Sequence, residues 1–218
     1  DYRNYGAANN SKSVNNSYDY KIWTPWKFGF SLGHTIGSSL ALGATYEYED
    51  YSRINTRIND GGYIDYWTGS YYDSSIADTQ MNNHTREVLK GVSTLKLGVE
   101  YKPTTNLALR AGYNYVSPMY FSDGQKDPGL SSLGTSYASA TDYTNWKATN
   151  RFTLGIGYQI DKFNIDLAYQ YSSQSGDFYP FSNVKNININ STTYNNIATG
   201  TKVKNDKSQL LLTLGYRF

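Results

Sequence analysis

The chain has 218 residues, a net charge of +2 from 20 Lys and Arg against 18 Asp and Glu, no cysteine, and 23 tyrosines. Aromatic residues make up 16% and charged residues 17%, the latter below the ~25% of ordinary soluble domains, yet the mean hydropathy is −0.62. That balance argues against intrinsic disorder, which is poor in aromatics, and against disulfides, thiolate metal sites or a clustered basic nucleic-acid footprint; no apolar run approaches the ~18 residues of a membrane helix.

Residues 1–17, with Asn9-Asn-Ser-Lys-Ser-Val-Asn-Asn-Ser17, read as a loop. From there the pattern is period-2 alternation over segments of about ten residues, the signal of a half-buried strand, and it recurs seven times. Tyr18, Tyr20 and Ile22 continue the face of Trp26, Phe28, Phe30 and Leu32 and so extend a first strand outward, with Lys27, Gly29 and Ser31 opposite. A short turn near 34–38, His34 included, leads to Leu40, Leu42, Ala44, Tyr46 and Tyr48, opposed by Gly43, Thr45, Glu47 and Glu49. A long loop over 59–87 follows. Leu95, Leu97, Val99 and Tyr101 then alternate with Thr94, Lys96, Gly98 and Glu100, and a short turn over 102–106 leads to Leu107, Leu109, Ala111, Tyr113 and Tyr115, with Arg110, Gly112 and Asn114 opposite. After a second long loop, 118–146, Phe152 to Ile160 alternate with Arg151 to Gln159. A tight turn at 161–162 joins them to Phe163, Ile165, Leu167, Tyr169 and Tyr171, opposed by Asn164, Asp166, Ala168 and Gln170. A third long loop, 173–207, precedes Leu210, Leu212, Leu214, Tyr216 and Phe218.

Alternation alone fits a soluble sandwich as well as a membrane barrel. Three features favour the barrel. Aliphatic residues occupy the middle of most apolar faces with Tyr or Phe at an end, as at a lipid interface. The opposite faces carry Gly, Thr, Asn and charges, which suits a wet lumen. Short and long connections alternate strictly, as periplasmic turns and extracellular loops do. The fold expected is therefore an all-β, antiparallel transmembrane barrel in the outer membrane of a Gram-negative bacterium. The terminal strand ends Tyr216-Arg-Phe218, similar to the signal read by the barrel-assembly machinery, which puts the C-terminus in the periplasm and all three long loops outside. Seven strands are odd where bacterial barrels use an even number, and an open sheet in lipid exposes unpaired backbone at several kcal/mol per group. The expected arrangement is the C-terminal half of a fourteen-stranded barrel.

Strand parity points Lys27, Glu47, Glu49, Lys96, Glu100, Arg110, Arg151, Asp166 and Arg217 into the lumen. Both signs occur, so ion-pair ladders are the expected default, and Arg110 and Arg151 are candidates to hold a carboxylate by a bidentate contact. Loop residues Trp67, Tyr71, Tyr72, Met119, Tyr120, Phe121, Phe178, Tyr179 and Phe181 are candidates for a greasy capture site, with ring-to-ring loop packing as the competing role. Catalysis is not expected: His84 is the only loop histidine, beside Arg86 and Glu87, and Asp78, Ser136 or Asp142 reach it only by particular loop folding. A Ca²⁺ site from Asp60, Asp65, Asp73 and Asp78 lacks regular ligand spacing. No metal or cofactor is expected.

Leu109-Arg-Ala-Gly-Tyr-Asn-Tyr-Val-Ser-Pro118 resembles a strand-to-loop segment of the FadL/TodX family of outer-membrane transporters for long-chain fatty acids and other hydrophobic compounds. Thr24-Pro-Trp26, opening a strand, Leu42-Gly-Ala-Thr-Tyr46, Tyr51-Ser-Arg53, Asn150-Arg-Phe-Thr-Leu-Gly-Ile-Gly-Tyr158 and Ile165-Asp-Leu-Ala-Tyr169 follow in that family's order, and the resemblance covers about residues 24 to 218. It implies a fourteen-stranded barrel that passes an apolar ligand from outside towards a lateral opening, without chemistry. The family's N-terminal plug and kinked early strand have no counterpart in these residues. Some relatives bear a haemin-receptor label, for which His34 and His84 make a poor ligand set. The partners expected are the bilayer, lipopolysaccharide, a hydrophobic small molecule and the assembly machinery, with further chains of a surface complex if the barrel acts as a structural, adhesive or scaffold subunit through its loops.

Overall fold

A computed structural model describes residues 20–127, 130–132, 135–136 and 142–218; the N-terminal loop expected over 1–17, and Tyr18 with it, lie outside them. The fold is all-β. Its main sheet has seven antiparallel strands, β1 (Lys27–Ile36), β2 (Leu40–Asp50), β3 (Gly91–Tyr101), β4 (Leu107–Val116), β5 (Tyr143–Ile160), β6 (Phe163–Tyr179) and β7 (Thr201–Tyr216), each paired with its neighbour in sequence. This is a plain meander, the arrangement that hairpin connections produce. The registers carry the alternation across without slippage: Leu32 faces Ala44, Ala44 faces Leu97, Leu97 faces Tyr113, Tyr113 faces Phe152 and Phe152 faces Tyr171. Among the described residues β1 and β7 each pair on one side only, so the sheet is open and no closed barrel is formed.

The short connections are as tight as their residues allow. Gly37 turns with φ +60°, and Asp161 starts the two-residue link between Ile160 and Phe163 at φ +53°, a left-handed conformation that Gly and Asp/Asn tolerate best. His34 is not in the first turn: it pairs with Leu42 inside β1, on the apolar face. Nor does the first strand continue outward through Tyr20. Pro25 supplies no N–H, the chain leaves the strand over residues 24–26, and Tyr20–Trp23 pairs instead with Asn55–Ile64.

The long connections hold more order than their composition suggests. Asn55–Ile64 and Tyr71–Ala77 form a hairpin that, with Tyr20–Trp23, makes a three-stranded sheet, and helix α1 (Thr79–Val88) follows. Asp78, only 1% exposed, caps α1 by accepting from Met81 N–H at 3.0 Å, the side-chain cap a helix N-terminus needs. One face of α1 is fixed by Asn82, whose amide accepts from Thr56 N–H at 2.7 Å and donates to Thr56 C=O at 3.0 Å, standing in for a neighbouring strand. Strands β5 to β7 run 16 to 18 residues against 10 or 11 for β1 to β4, so Tyr143–Trp146, Ser173–Tyr179 and Thr201–Lys207, expected as loop, are strand. Val184–Ile189 and Thr192–Asn196 form a further hairpin beyond them.

The molecule lacks the core that such a sheet builds in water. Among the described residues the buried apolar side chains are Ile58, Val92, Ala108 and Ala198. Leu, Ile, Phe and Tyr of the main sheet are instead on the open face. Along β5 the exposed residues are Phe152, Leu154, Ile156 and Tyr158, while Arg151, Thr153, Gly155 and Gly157 between them are sheltered. Glu47, Lys96, Glu100 and Asp166 are likewise more sheltered than the apolar residues on either side of them.

Candidate functional site: the polar face of the sheet

Strand parity gathers the charges of five strands on the polar face, and they pair in two groups. At the end with the long connections, Lys27 Nζ lies 3.1 Å from Glu47 Oε2 and Lys96 Nζ lies 2.9 Å from Glu47 Oε1, so one carboxylate ties β1, β2 and β3 together. At the end with the short turns, Arg110 Nε donates to Glu100 Oε2 at 2.6 Å and Arg110 Nη1 to Asp166 Oδ1 at 2.6 Å, with Lys102 Nζ 3.3 Å from Glu100 Oε1. Arg110 on β4 thus reaches past the whole of β5 to a partner on β6. The backbone makes room for it: Arg110 faces Gly155, and Asp166 faces Gly157. A β-carbon at residue 157 would overlap Asp166 Oδ1 and sit 3.0 Å from Arg110 Nη1. Of the two remaining acids of β2, Glu49 faces Lys27 in the register and Asp50 accepts from the Ser52 hydroxyl at 2.6 Å.

Between the two groups the face is bare. Gly33, Gly43, Gly98 and Gly112 stand side by side across β1 to β4, and the row continues as Thr153, Gln170 and Gln209. One row nearer the long connections, Ser31, Thr45, Lys96, Asn114, Arg151, Ser172 and Lys207 are register neighbours. This row holds three cations and no acid. Among the described residues Arg151 and Lys207 form no ion pair, and the buried Oδ1 of Asn114, between Lys96 and Arg151 in the register, has no hydrogen-bond partner. Of the two arginines singled out as carboxylate holders, Arg110 is already engaged by two protein carboxylates, and Arg151 is the one whose guanidinium stands without an acid.

The loop aromatics fall into two sets. Met119, Tyr120 and Phe121 are zipped to the end of α1: Lys90 N–H donates to Met119 C=O at 2.9 Å, Phe121 N–H to Val88 C=O at 3.0 Å, Leu89 bridges Tyr120, and Lys90 Nζ lies 5.6 Å from the Phe121 ring. Tyr143 and Tyr179 stack at 4.9 Å, so Tyr179 serves loop packing. The hairpin tip is different. Tyr66 and Trp67 are 90% and 89% exposed, edge-to-face at 5.7 Å, with Tyr63 stacked on Tyr72 at 5.6 Å behind them. Asp65 holds that tip by accepting from Trp67 N–H, Thr68 N–H and the Thr68 hydroxyl at 2.7 to 3.0 Å. Hydrogen bonds from Thr68 first, then Trp67, hold its carboxyl below the usual aspartate range.

The acids considered for Ca²⁺ are dispersed: Asp65 is in that turn, Asp78 caps α1, and Asp73 stands 4.0 Å from Lys21. Among the described residues no three His, Asp or Glu side chains gather as a metal would require. His84 and Glu87 of α1 share a shallow polar cavity with Asp123 and Asp127, and the side chain of Ser136 is outside the described residues.

At the end of the sheet, Phe163 packs on Tyr216 at 4.7 Å and Tyr216 meets Phe218 edge-on at 5.2 Å. Arg217 N–H donates to Lys162 C=O at 2.9 Å, which seats the last residues against the β5–β6 turn.

No family model matches the chain, and neither curated proteins nor solved structures give a match. Function is therefore argued from the two faces of the sheet.

Proposed function

We propose that this chain forms one wall of an outer-membrane β-barrel that passes long-chain fatty acids or other hydrophobic small molecules inward without chemistry. The observation that carries the reading is the inverted exposure of the main sheet. Along β2 to β6 most of its leucines, isoleucines and aromatics are exposed, and Glu47, Lys96, Glu100, Arg151, Gly155, Gly157 and Asp166 are more sheltered, whereas the edge strands β1 and β7 are largely exposed on both faces. In water such a face is an aggregation hazard; against lipid it is the stable arrangement. Dimensions agree. Ten or eleven residues at about 3.3 Å each, tilted by about 40°, span roughly the 25 Å of an outer-membrane apolar band, and β5 to β7 then rise about six residues beyond it. Short turns at one end and folded long connections at the other suit a periplasmic and an extracellular side, with the C-terminus periplasmic.

The free edges of β1 and β7 call for completion, because unpaired backbone in lipid is costly. Both strands are odd-numbered in the meander, so they run in the same direction. A second copy set coaxially beside this one would have to pair parallel at the junction. Antiparallel closure takes an odd number of further strands, and seven more give the fourteen of the FadL/TodX family that Leu109–Pro118 resembles.

The test is uptake by the complete protein. Liposomes or cells carrying it should take up labelled fatty acid faster than those without it, and equal rates would refute transport. A structural, adhesive or scaffold role in a surface complex has one observation in its favour, the nearly bare Tyr66 and Trp67 at a hairpin tip. Under that reading, removal of the tip abolishes attachment or assembly and leaves uptake unaltered.

A further inference from the structure

The hairpin of Asn55–Ile64 and Tyr71–Ala77 ends in Tyr66 and Trp67, both almost wholly exposed, and Ile64 and Tyr71, paired just behind them, are more than half exposed as well. A built turn keeps the two rings from collapsing onto the sheet. Asp65 N–H donates to Ser70 C=O and Gly69 N–H to Asp65 C=O, each at 2.9 Å, with Gly69 at φ +66°. The Asp65 carboxylate holds the turn through Oδ1 alone, and among the described residues its Oδ2 accepts no hydrogen bond. Rigidly presented Tyr and Trp offer large contact area at low entropic cost and are the residue types that dominate protein–protein hot spots.

Charge selects the occupant. Residues 59–75 contain Asp60, Asp65 and Asp73 and no Lys or Arg. Asp73 stands 4.0 Å from Lys21, whereas Asp60 and Asp65 form no ion pair among the described residues. Aromatic segments that enter an anionic membrane surface, or bind nucleic acid, carry Lys and Arg beside their rings, and an acidic tip is repelled by both. A neutral sugar gains from the rings and nothing from the carboxylates. An ammonium or guanidinium gains from both, since the face of an aromatic ring attracts a cation and so does a carboxylate. The same three-stranded sheet already makes this contact internally: the Arg57 guanidinium lies 5.1 Å from the centre of the Trp23 ring.

We propose that this tip is a docking site for a basic segment of another protein, whose Arg or Lys side chains lie on Tyr66 and Trp67 beside the Asp65 carboxylate. Such docking rests on the scaffold reading of the tip, to which it adds the chemistry of the partner, and it is independent of transport.

The experiment uses the full-length protein in nanodiscs of zwitterionic lipid, immobilised and probed by surface plasmon resonance. The probes are synthetic peptides of alternating Arg and Ser, Glu and Ser, or Gly and Ser, together with maltoheptaose and vesicles of phosphatidylglycerol. The Arg–Ser peptide should bind, more weakly as salt is raised, and the other probes should not. Trp67→Ala and Tyr66→Ala should each weaken it by about three- to fivefold, the worth of an exposed cation–π contact, and Trp67→Phe should restore most of the loss. Asp65→Asn keeps an acceptor oxygen for the turn and removes the charge, so it should lower the affinity by about twofold or more and flatten the salt dependence. Binding of the Arg–Ser peptide no tighter than that of the Glu–Ser peptide, or fully retained in Trp67→Ala, overturns the docking site. Maltoheptaose or the vesicles binding instead, and released by Trp67→Ala, overturn it in favour of a glycan or a membrane surface. If no probe binds, the basic-partner assignment fails, while the scaffold reading is still decided by whether removal of the tip abolishes attachment.

Discussion

Arg110 on β4 donates to Asp166 on β6 at 2.6 Å across an intervening strand, and it does so over Gly157. A side chain on β5 at that point would hold the guanidinium and the carboxylate apart, so a glycine that looks like a weak strand residue sets the reach of the ion pair.

Gly157→Ala is therefore expected to push the Asp166 carboxylate away from Arg110 and to destabilise the folded protein by about 1 kcal/mol or less, the worth of a part-exposed ion pair whose side chains can swing aside. The check is the temperature at which the folded form is lost on a heat-modifiability gel. In an Asp166→Ala background the same substitution should cost much less, since the colliding oxygen is gone; equal costs in both backgrounds would show that the pair and the glycine are not coupled.

The fold was legible in the sequence to the extent that the two faces of a strand differ in polarity. All seven strands of the main sheet announce themselves because apolar residues, such as Phe152, Leu154, Ile156 and Tyr158 of β5, alternate with polar or small partners. The upper halves of β5, β6 and β7 do not. At Ser172 to Gly176, or Thr201 to Ser208, both faces are polar, the period-2 signal vanishes, and only cross-strand pairing makes the segment a strand. Helix α1 was missed for a similar reason. Thr79-Gln-Met-Asn-Asn-His-Thr-Arg-Glu-Val88 has almost no apolar stripe, and its clearest mark is Asp78 as an N-cap. Ion pairing on the polar face was expected from strand parity. Which cations pair depends on registers and on the gap at Gly157, and neither can be counted along one strand.

Asn82→Ala should loosen the Asn55–Ala77 hairpin, because it leaves the Thr56 N–H without the amide oxygen that now meets it, while the Thr56 C=O keeps its bond from Asp78 N–H, a loss of about 1–3 kcal/mol where that N–H stays sheltered. Faster amide exchange at Thr56, or faster protease cutting within 55–77, measures it. Unchanged exchange at Thr56 would mean that the helix is not what holds the hairpin.

Acid should leave the hairpin tip intact until unusually low pH. Asp65 has its carboxyl lowered in the folded tip by the bonds from Thr68 and Trp67. Its contribution is present above the ordinary aspartate value and is lost as the pH falls through the lower folded value. Fluorescence of Trp67, followed on acidification, should change below the usual carboxylate range, and Asp65→Asn should remove that transition. A change centred at or above the ordinary aspartate value would contradict the turn geometry.

Leu154→Arg separates the two solvents energetically. At a position 62% exposed, a soluble sheet accepts arginine with little change, typically within about 0.5 kcal/mol. A lipid-facing strand near the bilayer midplane loses about 2–4 kcal/mol. Folding yield into vesicles, compared with Thr153→Arg on the polar face, reads the difference.

The most direct test of the central claim is a site-by-site measurement of solvent around β5. The chain contains no cysteine, so single cysteines placed at residues 152 to 158 of the complete protein in membranes can each carry a spin label. Accessibility to oxygen, which concentrates in lipid, and to a water-soluble nickel chelate should alternate with period two: oxygen dominant at 152, 154, 156 and 158, the chelate at 153, 155 and 157. Chelate accessibility at all seven positions, with no alternation, would place both faces of the sheet in water and contradict the membrane barrel.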